Sequence, residues 1–141
     1  MRELLKEECA YIAGIVDGEG TIMVAHMANR FALHLLISNT CRELLDWLVD
    51  RFECEVYTSE NIAAHHKIPY SLCLTGTKAK KVIEVLLPYL IVKQKQAQIA
   101  SSYPVANIGS RLSEEDKLLQ ALAYIQLRKL NKKGRDIESE E

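Results

Sequence analysis

The sequence predicts an α+β fold in which a four-stranded antiparallel sheet carries its helices on one face, with extra helices towards the C-terminal end. Three features predict it. Apolar spacing switches between helical and period-two runs in the order α-ββ-α-ββ-α, glycine, proline and polar clusters punctuate each switch, and the second half repeats the hairpin-then-helix pattern of the first. With 141 residues, 48% of them hydrophobic, the chain has the length and composition of one domain with a full core. We assign residues 1–134 to that domain and the acidic stretch 135–141 to a disordered tail.

The first helix is expected from about Glu3 to Val16, with Asp17-Gly18 as its stop. Leu5, Cys9, Ile12 and Val16 form a bulky stripe at helical spacing, and Ala10, Ala13 and Gly14 form a stripe with almost no side chain. The small stripe fits tight packing on the chain's own sheet or close contact with a second, equivalent helix. Period two then takes over in Thr21–Ala28 and Phe31–Asn39, joined around Asn29-Arg30 as a hairpin. Thr40 with Glu43 three residues on reads as a capping box, opening a helix that puts Leu44, Leu45, Leu48, Val49 and Phe52 on one face.

A second strand pair is expected at about Glu55–Ser59 and Tyr70–Thr75, separated by a polar loop. Thr77 then caps a helix with the apolar face Ala79, Val82, Ile83, Leu86 and Leu87, stopped near Pro88. A short helix from about Lys93 to Ser102 and a capped one from Ser113 to about Lys132 complete the chain, with Gly134 as the terminator. The helices cover one face of the sheet and leave the other free. A strand surface of this kind can enter the major groove of DNA, which is about 12 Å wide.

Charge is nearly balanced, with 18 Lys and Arg against 19 Asp and Glu, where a DNA-binding domain is usually basic. The distribution is uneven: residues 1–60 carry 11 acids and 5 bases, residues 61–135 carry 13 bases and 4 acids, and 136–141 carry 4 acids. A basic centre beside an acidic first half suits phosphate contact on one surface and metal on another. Cys9, Cys41, Cys54 and Cys73 contain no CxxC pair and read as buried thiols. His65-His66 is a solvated loop pair or, less specifically, two of the ligands a metal needs. With no signal-peptide pattern and no apolar run of roughly 18 residues, the expectation is an intracellular protein, cytoplasmic or organellar, without a membrane partner.

The most informative stretch is Ile12-Ala13-Gly14-Ile15-Val16-Asp17-Gly18-Glu19-Gly20. It sets two carboxylates at the C-terminal end of a helix, where the macrodipole disfavours an anion by about 0.3–1 kcal/mol. A compensating cation must come from elsewhere in the fold or from solvent as a metal, and Mg²⁺ accepts one or two carboxylates plus waters. The alternative is an acidic turn with surface carboxylates.

Ile12–Gly20 resembles the signature of the LAGLIDADG homing endonucleases, varied at Ile12, Ile15, Val16, Gly18 and Glu19. Leu87-Pro88-Tyr89-Leu90 and Lys93-Gln94-Lys95-Gln96-Ala97 resemble the segment that ends the second-hairpin half in that family, so the resemblance spans about residues 8–130. It implies a saddle-shaped sheet and an intron-encoded type of homodimeric enzyme. Such an enzyme hydrolyses both strands of a long, pseudo-palindromic double-stranded DNA with a divalent metal, Mg²⁺ or another. Glu19 matches the metal-binding acid, with the Gly18 carbonyl as second ligand. Asp17 matches the structural acid, Lys93 the lysine near the scissile phosphate, and Asn39 a position that helps order the attacking water. Arg42 is a weaker match to a nearby basic residue.

One motif per chain implies pairing of two first helices through Ala10, Ala13, Gly14 and Asp17, and the two-fold symmetry implies a palindromic target. From the strand alternation, the DNA-facing residues would be Met23, Ala25, Met27, Ala32, His34, Leu36 and Ser38, with Asn29 and Arg30 at the turn. Tyr57, Lys67 and Tyr70 are further candidates, each equally readable as a surface or packing residue, and Lys95 reads as a generic phosphate-facing or solvated charge. The competing readings are a relative that binds nucleic acid without cutting it, as an intron RNA splicing helper or a regulator, and an unrelated helical dimerisation module.

Overall fold

The computed structural model describes residues 2–58, 69–106 and 111–132. Its elements run α1 (Lys6–Glu19), β1 (Gly20–Met27), β2 (Arg30–Asn39), α2 (Arg42–Phe52), β3 (Tyr57–Thr58), β4 (Tyr70–Thr75), α3 (Gly76–Leu86), a 3₁₀ turn (Leu87–Tyr89), α4 (Gln94–Ser101) and α5 (Glu114–Asn131). The strands form one antiparallel sheet in the order β1-β2-β4-β3. This is the α+β class and element order that the apolar periodicity predicts. His65, His66, Lys67, Gly109, Gly134 and the tail 135–141 lie outside the described residues.

Strand alternation decides which side becomes core. Ile22 and Val24 of β1, Leu33, Leu35 and Ile37 of β2, and Leu72 and Leu74 of β4 are buried on one face. They form one cluster with Cys9, Ile12 and Val16 of α1, Leu45, Leu48 and Phe52 of α2, and Ala79, Val82, Ile83 and Leu86 of α3. Each fully buried Leu or Ile contributes about 1.5–3 kcal/mol relative to exposure. A one-residue slip of β2 would turn Leu33, Leu35 and Ile37 to solvent together, so this burial fixes the register.

The β1–β2 turn falls at Ala28 and Asn29, one residue before the expected position. Both are left-handed, at φ 49 and φ 63, as the two-residue turn matching strand twist requires. Met27 and Arg30 close it as a pair. β1 is a sheet edge, and α5 lies along it, with Asn131 Nδ2 donating to the Ile22 carbonyl at 2.9 Å. That contact occupies part of an otherwise open strand edge. The Ser113 hydroxyl caps α5 by accepting the Asp116 N–H at 3.0 Å, as the sequence predicts.

Several expectations need correction. Thr40 does not cap α2, which begins at Arg42 behind Cys41 with no side-chain cap. Asn39 Oδ1 accepts the Cys41 N–H at 2.7 Å, and this Asx turn holds the residues after β2 out of the helix. Thr77 lies inside the first turn of α3, because Gly76, at φ 59, already turns the chain after Thr75. β3 is reduced to Tyr57–Thr58 among the described residues. Of the four free thiols Cys9 is buried, Cys54 and Cys73 are half-buried and Cys41 is exposed. No helix among the described residues is long and apolar enough to cross a membrane.

Near its N-terminal end α1 is tied to α2 through Glu8. Its carboxylate accepts the Leu5 N–H at 2.9 Å and pairs with Arg2 and Arg51, each at 2.8 Å. The Arg51 guanidinium also lies 3.8 Å from the centre of the Trp47 ring. The Leu5 N–H, followed by Arg2, holds the Glu8 carboxyl down to about 2. A folded-state pKa below the unfolded value stabilises the fold above the unfolded pKa of about 4.3. That stability is lost as pH falls through about 2. Glu8→Gln is therefore expected to lower Tm at pH 7, and thermal melts of the two proteins should converge as pH falls towards about 2. A Tm difference that stays constant across that range would contradict this account of Glu8.

Candidate functional site

The last turn of α1 uses its two acids differently. Asp17 and Glu19 are about 200° apart around the helix axis at 100° per residue. The Asp17 carboxylate accepts three backbone N–H groups from the turn before α4, from Ile91 at 2.9 Å, Val92 at 3.1 Å and Lys93 at 3.0 Å. The Lys93 ammonium donates to the Asp17 carbonyl at 2.8 Å. No basic residue occupies the last turn of α1 itself, so a lysine far along the chain supplies the cation that the helix end calls for. Glu19 is exposed, and no cation among the described residues pairs with it.

Gly20 makes the handover from helix to sheet. Its N–H donates to the Val16 carbonyl. A Cβ there would stand 2.9 Å from Val16 Cα and 3.0 Å from its carbonyl oxygen, so a larger residue would force α1 and β1 apart. Glu19 is thereby held at the corner where the helix end meets the start of an edge strand. Asn39 lies at the same end of the sheet, because Ile37 pairs with Gly20 and Asn39 is two residues further along β2.

The sheet face turned away from the core carries the opposite strand parity. Its cross-strand rows are Met27 with Arg30, Ala25 with Ala32, Met23 with His34 and Thr75, and Thr21 with Leu36 and Cys73. Ser38, Ser71 and Tyr57 form a further row, with the two serine hydroxyls 2.7 Å apart. Burial, unopposed by any other group, lowers the pKa of His34.

No protein-family model matches the sequence, and no curated protein does. Solved structures do. The archaeal intron-encoded homing endonuclease I-Vdi141I, in complex with DNA, superposes with a TM-score of 0.70 at 17% identity, over 91% of this chain and 86% of that one. The homing endonuclease I-CvuI, in complex with its target, gives 0.64 at 20% identity over 88% and 82%. The LAGLIDADG homing endonuclease I-GzeII, in complex with a DNA target, gives 0.58 at 18% identity over 85% of this chain and 43% of that one. The fold is that of the LAGLIDADG homing endonucleases.

Within this LAGLIDADG fold, Gly18, Glu19 and Lys93 come together at the end of α1, with Asn39 at the same sheet end. The outer face gathers Met23, Ala25, Met27, Arg30, Ala32, His34, Leu36, Ser38 and Tyr57, with Asn29 at its hairpin tip. Lys95 is exposed on α4. Four of the candidates are engaged within the chain itself. Tyr70 sits on the helix side of β4 at the parity of Leu72 and Leu74, under the Arg42 guanidinium at 5.3 Å. Arg42 is itself paired with Asp46 at 2.9 Å. Ala13 is fully buried in the chain's own core, and the Asp17 carboxylate is engaged by the N–H groups of residues 91–93. Ala10 and Gly14 are exposed.

Thr21, Ser71, Cys73 and Thr75 share the outer face and were missed. Alternation from Met23 and from Leu74 was the signal that could have found them. Arg128 and Lys132 of the α5 end, which border Thr21 and Met23 around one hollow, had no local signal beyond their charge.

Proposed function

We propose that the protein is a site-specific endonuclease that acts as a homodimer and hydrolyses both strands of a pseudo-palindromic double-stranded DNA. The observation that carries this reading is the division of labour at the end of α1: Asp17 is consumed inside the chain, where its carbonyl also holds the Lys93 ammonium, while Glu19 is left exposed. Gly14 and Gly18 add to it. Both are exposed, and a Cβ on either would meet nothing within 4 Å among the described residues. Glycine inside a helix costs about 1 kcal/mol against alanine, and no contact among the described residues accounts for it. A second α1 approaching across that face would.

The donor set fits a hard divalent cation such as Mg²⁺. Among the described residues no three of His, Cys, Asp or Glu gather into a ready cage. Mg²⁺ does not need one, because it is held through one or two carboxylates, waters and substrate phosphate oxygens. Glu19 and the Gly18 carbonyl would hold it. When bound, the cation neutralises charge on the phosphoryl oxygens and makes water a better nucleophile.

The chain's own residues do the rest. The Lys93 ammonium has three N–H donors, one of them engaged at Asp17, leaving two for a phosphoryl oxygen whose charge grows in the transition state. Asn39 anchors its side-chain oxygen on Cys41, which leaves the amide NH₂ to orient a water. The outer sheet face supplies the DNA contacts. The test is incubation of the protein with plasmids carrying candidate insertion sites, with and without Mg²⁺. Double-strand cutting that requires the metal is the expected result, and tight metal-independent binding without cutting would replace the proposal with a non-cleaving binder.

A further inference from the structure

The outer sheet face is graded along its length. Its hairpin end, farthest along β1 from Glu19, carries exposed Asn29 and Arg30. The opposite end carries Ser38 and Ser71, hydroxyl to hydroxyl. Between them lie three rows headed by Ala25 and Ala32, Met23 and His34, and Thr21 and Leu36. No Lys, Arg, Asp or Glu stands in these rows, and burial lowers the pKa of His34, which favours its neutral form. The polar side chains there are His34 and the threonines. Rows two residues apart on a strand span about 13 Å in total, or roughly four base-pair steps of about 3.4 Å.

Guanine is most often read in the major groove by Arg or Lys, and adenine by Asn or Gln, whereas the thymine 5-methyl is read by apolar contact. The middle rows have the last kind of group in abundance and none of the first two. Along the β1 edge, Arg128 and Lys132 of the α5 end border Thr21 and Met23, a positive rail at the height of the same rows. Charge beside an uncharged, apolar strip is the complement of a major groove whose floor is methylated and whose walls are phosphate.

We infer that the protein reads the middle of each half-site through thymine 5-methyl groups packed against Met23, Ala25, Ala32 and Leu36, while Arg128 and Lys132 hold the adjoining phosphates. The inference rests on the reading of the sheet as a DNA interface. It places any guanine preference at the outer end of the half-site, under Arg30, and a thymine-rich stretch of about four base pairs inside it.

The test uses the wild-type protein and duplexes selected for binding in Ca²⁺ from a library with randomised half-sites. Thymines of the selected site are then replaced one at a time by uracil, which removes only the methyl group. Each central replacement should weaken Kd about three- to fourfold, the worth of one buried methyl-sized group, and replacements near the ends should leave it unchanged. Leu36→Ser should abolish the uracil effect at one position and keep it at the others. A selected centre without thymine, or Kd values indifferent to uracil at every position, would overturn the inference while leaving the DNA interface standing. Failure to enrich any duplex at low salt would overturn the interface itself.

Discussion

Glu19→Gln is expected to reduce strand cleavage by about a thousandfold or more while leaving DNA affinity and Tm nearly unchanged. The substitution preserves size and removes the one exposed carboxylate at the end of α1. Loss of a single preorganised electrostatic group in a reaction centre costs about 10²–10³ in rate, and a weakened cation site adds to that. Asp17→Asn makes the informative comparison, because it changes an acid two residues away in the same turn. There the carboxylate receives three backbone N–H groups, and the loss of charge-assisted bonds should destabilise the fold by about 1–3 kcal/mol. The two variants should therefore separate, one in rate and the other in Tm. Plasmid cleavage time courses in Mg²⁺ alongside thermal melts measure both. Undiminished cutting by the Glu19 variant would sink the assigned role.

The distance along the chain over which a contact acts decides how much of it the sequence could show. Alternation in β1 and β2 identified the two sheet faces, because Leu33, Leu35 and Ile37 admit only one burial pattern. In β4 the same alternation puts Tyr70 beside Leu72 and Leu74 on the core side and turns Cys73 and Thr75 outward. The small-residue stripe of α1 spans two faces, because it groups residues by size and not by angle. At 100° per residue Ala13 falls in the arc of Cys9, Ile12 and Val16, whereas Ala10, Gly14 and Gly18 fall opposite. The Asn39 turn displaced the Thr40 cap because two local hydrogen-bonding schemes competed and strand pairing through Asn39 favoured one. The bond from Lys93 to Asp17 joins residues 76 apart. No local pattern encodes it, and the family motif alone connected the two.

Gly14→Leu is expected to separate the chain's folding from its assembly. Gly14 and Gly18 lie one turn apart on the exposed arc of α1, with Ala10 and Tyr11 beside them. Tyr11 is 56% exposed even though its ring packs edge-on against Trp47 at 5.2 Å, so a large aromatic borders a strip with almost no side chains. Helices pack at axis separations of about 8–10 Å, and the smallest require small residues at the crossing. Among the described residues no atom lies within 4 Å of a Cβ built at Gly14, so the root of a side chain is accommodated there without a clash. Relative to glycine, leucine should even favour the isolated helix, by up to about 1 kcal/mol. Across a two-fold axis the same side chain appears twice at one crossing, and overpacking costs about 1–3 kcal/mol per site. The expected result is a folded monomer at micromolar concentration by sedimentation, with helical content retained and plasmid cutting down at least about a hundredfold, since each chain brings only one Glu19. Gly14→Ala should sit between, weakening the dimer about tenfold. A Gly14→Leu protein that sediments as a dimer and cuts both strands would place the contact between copies on some other surface, whereas a monomer that also melts earlier would mean that Gly14 serves the chain's own packing.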